Sequence, residues 1–320
     1  MAIYDVNGNI ISDGNTATFV NDYYADIEDV VAVPNYPSHD TTFVNGNIWA
    51  FDKPTDGGAF KVYNPTDFSV VKSLTHSFYY PKKGGGTAEL EMKSVDWNAV
   101  NSVLAVGNGA STYTEGDSYI YLFYNALNWL NMTAQITFSN CGTYTQLDVS
   151  ALGIKPYGFW AGKSEQCDQM FVVVNRFADV YLIHLGKGTV NLGSGTYAYI
   201  DADSYNGTYA VIKHWHQTVN ETEPYGAHGG QFYKGSLYLA DSDQSKCRIY
   251  RCVLTDDEQL KFDVIDCSHF RNGANNLIYR YLDGMCINEG ICYSAPLYIN
   301  DSYNTKTNKV VLKIALGEVS

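Results

Sequence analysis

The sequence predicts an all-β fold built from repeated antiparallel sheets. Five segments share one pattern, a small polar turn that leads into an apolar strand, and they recur at intervals of about 55 to 70 residues. Long helical periodicity is almost absent, and the chain has 27 tyrosines, a residue type that suits pleated, half-buried surfaces. The five segments are Val44–Phe51, Val100–Gly107, Cys167–Val174, Tyr233–Ala240 and Asn288–Ala295.

The clearest repeat begins with Ala227–Asp241. A first strand ends at the tight turn Lys234-Gly235, and a second strand follows with alternating apolar positions. Two more strands are predicted at Cys247–Val253 and Leu260–Ile265. Four short strands in each of five repeats predict a five-bladed β-propeller of four-stranded antiparallel blades.

An N-terminal strand is predicted to close the ring. The last repeat, from Gly284 to Leu316, has room for about three strands, whereas Asp26–Val33 forms an isolated strand pattern that ends at Pro34. Because an open ring leaves unpaired strand edges, we expect this early strand to become the outer strand of the last blade. The predicted domains are an N-terminal extension, 1–22, and a single propeller domain, 23–320.

The remaining blades follow from the same pattern. The first blade is predicted at 41–74, the second from about 90 to 138 with its third strand at 118–124, and the third from Tyr157 onward. The irregular stretch 186–222 is predicted to hold the outer strand of the third blade and an insertion. The glycine-rich run Lys82–Thr87 has no strand–loop–helix context, so it is predicted to be a flexible inter-blade loop rather than a phosphate-binding loop.

Composition excludes several classes of partner. The formal net charge of -13 argues against nucleic acid and anionic membrane surfaces, both of which require basic patches. No window is long and apolar enough for membrane insertion, and no signal peptide is recognisable, so a virion or cytoplasmic location is expected. The seven cysteines are expected to be mostly reduced and buried.

The predicted binding site lies where the innermost strands of the blades begin. Residues before or early in the repeated hairpins combine aromatic rings with acids and histidines, a mixture that suits sugars, whose C–H faces stack on rings while their hydroxyls bond to polar groups. The alternative is that these acids hold inter-blade turns and the aromatics fill the space between blades. The predicted ligand-binding residues are His39, Trp97, Tyr157, Trp160, Tyr225, His228 and Asp283.

Two acids give a resemblance to five-bladed glycoside hydrolases. Asp40 resembles the Asp base on the first blade of that group, and Asp96 resembles the Asp on its second blade; the group carries its Glu acid on the third blade. The third blade departs from the pattern, because Pro156–Gly162 contains no carboxylate and glycoside hydrolysis normally needs a placed acid. The resemblance therefore implies a polysaccharide hydrolase with catalytic Asp40 and Asp96 only as an alternative to binding, and no cofactor is expected.

His214-Trp215-His216 is a weak candidate for metal binding. Residues two apart on a strand share a face, so His214 and His216 could present two imidazoles together. The spacing matches no known zinc motif, and the alternative is an outer or insertion strand with surface histidines. We therefore predict no metal site.

The first residues indicate a possible attachment role. Asn7-Gly8 predicts a hairpin turn, and the run Met1–Asp5 resembles the start of tail- and baseplate-associated proteins of phages of gut Firmicutes. The resemblance implies a receptor-binding propeller on a phage tail, with residues 1–22 contacting virion proteins or further copies of the chain. A purely structural propeller that binds other proteins is a third alternative.

Overall fold

The chain folds almost entirely into short β-strands. The computed structural model describes residues 22–24, 27–37, 39–92, 94–99, 102–108, 118–150, 156–161, 169–174, 179–184, 190–191, 196–197, 210–216, 227–234, 236–241, 247–254, 260–267, 279–298 and 310–316. Within these ranges no helix is long and apolar enough to cross a membrane.

The described residues up to 150 form thirteen strands and two 3-10 helices. The 3-10 helices are Pro54–Asp56 and Ala126–Asn131. The strands are β1 (Asp22–Tyr24), β2 (Ile27–Ala32), β3 (Asp40–Val44), β4 (Asn47–Phe51), β5 (Ala59–Tyr63), β6 (Val70–Ser77), β7 (Tyr79–Pro81), β8 (Thr87–Glu89), β9 (Val95–Asn98), β10 (Val103–Gly107), β11 (Tyr119–Phe123), β12 (Ile136–Thr137) and β13 (Tyr144–Asp148).

The described part of the second half contains strands only. They are β14 (Pro156–Ala161), β15 (Gln169–Val174), β16 (Asp179–His184), β17 (Val190–Asn191), β18 (Thr196–Tyr197), β19 (Ala210–His216), β20 (Ala227–Tyr233), β21 (Ser236–Asp241), β22 (Arg248–Leu254), β23 (Leu260–Asp266), β24 (Tyr279–Asn288), β25 (Ile291–Tyr298) and β26 (Val310–Ala315).

The described strands form five sheets of four or five strands, and these sheets have a propeller arrangement. In chain order and from the innermost strand outward, they are β3-β4-β5-β6-β12, β9-β10-β11-β13, β14-β15-β16-β19, β20-β21-β22-β23-β1 and β24-β25-β26-β2. Each innermost strand packs beside the innermost strand of the next sheet, and β24 packs beside β3, so these strands close a ring. The prediction of an all-β propeller of antiparallel sheets is confirmed.

The N-terminal strand completes the fifth sheet. β2 pairs antiparallel with β26, and Ile27 lies opposite Ile314 while Ala32 lies opposite Val310. The fifth sheet therefore takes three strands from the C-terminal end of the chain and one from the N-terminal end. The predicted closure is confirmed.

Two short segments pass from one sheet to the next at the outer rim. β1 pairs parallel with β23 of the fourth sheet, and the chain then enters β2 of the fifth sheet. β12 likewise pairs parallel with β6 of the first sheet before the chain forms β13, the outer strand of the second. We call these two segments, 22–32 and 136–148, the rim straps.

The second blade extends beyond its predicted end at 138, because its outer strand, β13, follows a 3-10 helix and the short strand β12. Between β11 and β13 the chain forms a 3-10 helix that buries Trp129, and the Trp129 Nε1 donates a hydrogen bond of 2.9 Å to the carbonyl of Cys141. The outer strand can therefore begin only at Tyr144.

An aromatic core fills the space between the first two sheets. Trp49 lies with its ring centroid 6.3 Å from those of both Trp97 and Trp129, and Phe60 lies 5.8 Å from Trp129. Burying one such side chain stabilises the fold by about 1.5–3 kcal/mol. The large aromatic residues of this core thus hold adjacent sheets together.

The six cysteines that the structure describes are buried with free thiols. Cys286 and Cys292 do not face each other across their hairpin, because Cys292 pairs with Ile287, one position out of register. Cys286 packs in the core between the fifth and first sheets, whereas Cys292 packs in the core between the fourth and fifth. Burial raises the pKa of the Cys286 thiol to about 12.

Candidate functional site

The innermost strands present their first residues on one face of the ring, which we call the leading face. Parallel contacts establish this direction, because Asp40 and Thr42 of β3 bond to Val95 and Trp97 of β9 in the same order. Because neighbouring strands of a sheet are antiparallel, the second and fourth strands of each sheet end at this same face. The leading face therefore carries the loops that could form a binding site.

Three innermost strands contain an extra residue close to the leading face. In β14, Tyr157 is inserted between two residues that pair with consecutive residues of β15. In β20, one extra residue lies between Ala227 and Gly230, and in β24 one lies between Asp283 and Met285. Bulges of this kind change the direction of side chains and are common beside binding sites. Tyr157 and His228 lie within the bulges of β14 and β20, and Asp283 lies next to the bulge of β24.

The carboxylate of Asp40 links two sheets. One oxygen, Oδ1, accepts a hydrogen bond of 2.8 Å from the N–H of Thr41, and Oδ2 accepts one of 2.6 Å from the N–H of Val95. No strand is hydrogen-bonded to the inner edge of β9, so the carboxylate takes the place of a ladder partner for that N–H. Asp40 is only 1% exposed.

Glycines make room for Asp40 on the other side of the ring. A Cβ atom on Gly229 would lie 2.5 Å from Asp40 Oδ1, and one on Gly284 would lie 2.6 Å from Asp40 Cα. Both glycines have positive φ angles, of 100° and 69°, which residues other than glycine adopt only at a cost in free energy. Around Asp40 the backbones of β3, β20 and β24 therefore lie too close together to admit a Cβ atom at either glycine.

Asp96 has a similar set of contacts within the ring. Its Oδ1 accepts a hydrogen bond of 2.9 Å from the N–H of Trp97 and lies 3.5 Å from the hydroxyl of Thr42. Across the ring, Gln231 of β20 accepts a 2.7 Å hydrogen bond from the N–H of Ile287 in β24. Polar side chains of one sheet thus satisfy backbone groups of the next.

Trp97 belongs to the aromatic core. It is 9% exposed, it packs on Trp49, and its Nε1 has no hydrogen-bond partner among the described residues. Its indole presents little surface to a ligand.

His39 lies between two carboxylates at the leading face of the first sheet. Its Nδ1 is 3.4 Å from Asp52 Oδ1 and its Nε2 is 3.5 Å from Asp56 Oδ2. His39 is 1% exposed, whereas the Asp56 side chain is 45% exposed. The histidine therefore connects the start of β3 to the loop 52–58, and Asp56 is the member of the group that faces solvent.

A second buried histidine supports the same loop. His76 donates from Nε2 to the carbonyl of Asp52 at 2.6 Å, and its Nδ1 has no partner among the described residues. Burial lowers the pKa of His76 from 6.5 to about 4. The imidazole is therefore neutral at pH 7 and acts as a fixed donor to the loop.

A β-hairpin stands on the leading face between the first and second sheets. β7 and β8 pair with Tyr79 opposite Glu89, and the glycine-rich run 82–87 forms their turn, closed by a 3.0 Å bond from the Lys82 N–H to the Gly86 carbonyl. The run predicted as a flexible loop is thus a hydrogen-bonded turn. The Glu89 carboxylate accepts from the Thr55 N–H at 3.0 Å and from the Thr55 hydroxyl at 3.1 Å, which joins the hairpin to the loop 52–58.

The other predicted site residues are described through their backbone or not at all. Trp160 lies on β14, and the side chains of Tyr157, Trp160, His228 and Asp283 are outside the described residues, as is the whole of Tyr225. His214 and His216 lie on β19, the outer strand of the third sheet, where the His214 ring stacks on Tyr181 at 3.9 Å. The described residues contain no cluster of three histidine, cysteine or acidic side chains suited to a metal ion.

Sequence reasoning did not single out Asp52, Asp56, Tyr79 or Glu89. Asp52 and Asp56 flank Pro54-Thr55, a turn signal that indicated only a loop between strands. The contact of Asp52 with His39 spans 13 residues of chain, and that of Glu89 with Thr55 spans 34.

No protein-family model matches, and no curated protein matches. Glutaminyl cyclase of Myxococcus xanthus is similar at 9% identity and a TM-score of 0.46, over 92% of this chain and 96% of that one. The PQQ-bound aldose sugar dehydrogenase of Streptomyces coelicolor is similar at 10% identity and a TM-score of 0.44, over 91% and 97%. The WD40 β-propeller domain of Doa1 is similar at 10% identity and a TM-score of 0.36, over 92% and 98%. Likeness at this level carries no argument about activity.

Proposed function

We propose that this chain is a five-bladed propeller, each large sheet being one blade, that binds a neutral glycan of a cell surface at its leading face. One observation carries the proposal: both carboxylate oxygens of Asp40 accept backbone N–H groups inside the ring. The central acids are therefore occupied in joining sheets, and the loops and bulged strands around them remain for recognition.

The chemistry of the leading face supports a sugar. In the backbone, Tyr157 and His228 belong to the bulged parts of β14 and β20, and Asp283 adjoins the bulge of β24, which supports a role for these three residues in binding. Aromatic rings with nearby imidazole and carboxylate groups suit the C–H faces and hydroxyls of a sugar. The net charge of -13 favours a neutral ligand over an anionic one.

Hydrolysis is less well supported. A glycosidase needs one carboxyl as proton donor and a second as base or nucleophile, both in contact with substrate. Asp40 and Asp96 are 1% and 5% exposed and accept backbone N–H groups. The strand β14, where the third acid would stand, contains no carboxylate.

Attachment to a virion is the second part of the proposal. It rests on the N-terminal sequence, and the position of β1 supports it, because this strand lies at the outer edge of the fourth sheet. Asp22, which follows residues 1–21 in the sequence, lies at the rim of the propeller rather than at the ring of innermost strands.

An array of neutral oligosaccharides tests the binding proposal. We expect the wild type to bind and Tyr157→Ala to lose about tenfold or more in affinity, about the value of a stacked ring with its buried area. Tyr124→Ala is the matched control, because Tyr124 is 39% exposed and follows β11 at the opposite end of its sheet. Trp97→Ala is unsuitable, because it would open a cavity in the aromatic core.

Three outcomes would contradict the proposal. Absence of binding across the array would favour a structural or protein-binding propeller. Release of shortened sugars would favour hydrolysis. Equal losses in Tyr157→Ala and Tyr124→Ala would indicate damage to the fold rather than to a site.

A further inference from the structure

One exposed aromatic side chain has a position that sets it apart from the others. The described residues include five large hydrophobic side chains that are strongly exposed, namely Val70, Val71, Tyr79, Tyr124 and Tyr144. Val70 and Val71 begin β6, and Tyr124 and Tyr144 lie where β11 ends and β13 begins, all on the side away from the leading face. Tyr79, which is 44% exposed, lies on the hairpin between β6 and β9, and this hairpin stands on the leading face.

The hairpin that carries Tyr79 is firmly held. Tyr80 and Ala88, on its opposite face, are 2% and 6% exposed and belong to the aromatic core. The Tyr80 hydroxyl accepts a 3.0 Å hydrogen bond from Asn108 at the end of β10, and the Lys83 ammonium lies 2.9 Å from Asp148 at the end of β13. A ring on a rigid support loses little conformational entropy when a ligand stacks on it.

Tyr79 is paired on its hairpin with a carboxylate that binds the loop 52–58. Tyr79 and Glu89 are directly paired, so their side chains project from the same face of the hairpin. Glu89 holds Thr55 on that face, and the next residue, Asp56, keeps nearly half of its side chain exposed. Tyr79 therefore shares this face with a carboxylate that binds the loop 52–58. In that loop the Asp56 carboxylate lies 3.5 Å from His39 Nε2 and 3.9 Å from Lys53 Nζ.

We infer that Tyr79 and the loop 52–58 form a sugar-binding subsite on the first blade, with Tyr79 stacking on the ring of a neutral hexose unit and Asp56 accepting from its hydroxyls. This inference rests on the proposed function and deepens it. The arrangement combines an apolar plane with a hydrogen-bond acceptor on a preorganised support, which is what a pyranose requires. The contact that the sequence pattern predicts on the first blade is His39, which is 1% exposed and lies 3.5 Å from the Asp56 carboxylate.

The experiment measures affinity for the best neutral oligosaccharide of the array by titration calorimetry. Tyr79→Ala is expected to weaken binding about tenfold, whereas Tyr79→Phe, which keeps the ring, should bind within about twofold of the wild type. Asp56→Asn, which removes the charge, should weaken binding about threefold to tenfold. Tyr124→Ala serves as the control for loss of an exposed tyrosine, and thermal unfolding verifies that each variant is folded.

The outcomes separate this inference from the proposed function. If the wild type binds no neutral glycan, both fail. If the wild type binds and Tyr157→Ala loses affinity while Tyr79→Ala and Asp56→Asn do not, the subsite is overturned and the glycan-binding function stands. If Tyr79→Phe loses as much affinity as Tyr79→Ala, the stacking role is overturned.

Discussion

Asp40 illustrates how one side chain can replace part of a β-ladder. Each innermost strand of the ring has one edge to which no strand is hydrogen-bonded, and the N–H groups at that edge need other acceptors. The Asp40 carboxylate supplies one to Val95 while its other oxygen caps Thr41. Such an acid occupies the position where a catalytic residue would be expected, yet its geometry is that of a connector.

The substitution Asp40→Asn should therefore destabilise the protein. An amide has only one acceptor oxygen, so one of the two backbone N–H groups would meet an NH₂ group instead, at a cost of about 2 kcal/mol in the free energy of unfolding. Urea unfolding measures this difference.

The control for that experiment is Asp67→Asn. Asp67 lies in an exposed turn and bonds to the Ser69 N–H and hydroxyl through Oδ1 alone, so an asparagine can keep both bonds and the unfolding midpoint should not change. A stable Asp40→Asn variant that loses an enzymatic activity would instead support catalysis.

His76 should make stability depend on pH. Its pKa falls from 6.5 in the unfolded chain to about 4 in the folded protein because the ring is buried. The unfolded state binds the proton more readily, so the contribution of neutral His76 is fully present above about pH 6.5 and is lost as the pH falls toward 4. The full effect is of the order of 3 kcal/mol.

Urea unfolding at pH 7.5 and pH 5 measures the effect, with His76→Gln as the comparison. Glutamine can still donate to the Asp52 carbonyl but does not titrate, so this variant should lose less stability between the two pH values than the wild type. Equal losses would assign the pH dependence to other groups.

Sequence reasoning at this scale identified residue types but not their surroundings. His39, Asp40 and Asp96 do lie at the leading face, because the pattern of strands located them there. Their partners come from loops and neighbouring sheets, and no local pattern predicts such contacts. The same pattern predicts a ligand contact for Trp97, and in the structure its ring packs next to Trp49.

The hairpins formed by the first two strands of the repeats are the elements in which sequence and structure agree best. The turns between the first two strands of each described repeat have residues with positive φ, namely Asn45 with Gly46, Ser102, Lys234, and Glu289 with Gly290. Such angles favour asparagine and glycine, so the turn chemistry is visible in the sequence. The rim strap at 136–148 was not predicted, because two residues of parallel pairing leave no periodic pattern.

Glycine at the bulge of β20 should be indispensable. In Gly229→Ala the new Cβ would lie 2.8 Å from Gly284 Cα and 2.9 Å from the Met285 nitrogen, and backbone atoms cannot move aside cheaply. We expect a loss of more than about 3 kcal/mol in the free energy of unfolding, or failure to fold.

Gly57→Ala provides a closely matched comparison. Gly57 has a φ angle of 98°, close to the 100° of Gly229, but open space around its Cβ position. Its substitution should therefore cost only about 1 kcal/mol, the price of the backbone angle alone. Similar losses in the two variants, measured by thermal unfolding, would mean that the strands around Asp40 can separate.

At the scale of the whole molecule, the ring depends on one strand from the beginning of the chain. Without β2, the fifth sheet would end at β26 with an exposed edge. The number of strands in the last repeat predicted this arrangement, since a repeat with three strands needs a fourth. The composition predicts a core that is rich in aromatic residues. It does not predict which side chains pack together, because that depends on how the sheets face each other.

Two truncated chains can isolate the contribution of β2. Removal of residues 1–26 deletes β1 and leaves β2, whereas removal of residues 1–33 deletes both strands. We expect the second truncation to lower the melting temperature much further than the first, and an added peptide of residues 27–33 to restore part of the loss. Identical melting temperatures would show that β26 is stable as an edge strand.

The first rim strap also determines how the propeller would respond to mechanical force. A pull applied to residue 22 reaches β1 first, which holds the fourth sheet through three residue pairs, and then β2, which completes the fifth. Only two residues separate these strands, so tension would pass from one sheet to the next with little slack. A molecule tethered by its first residues would therefore open at the seam of its own ring before its core yielded.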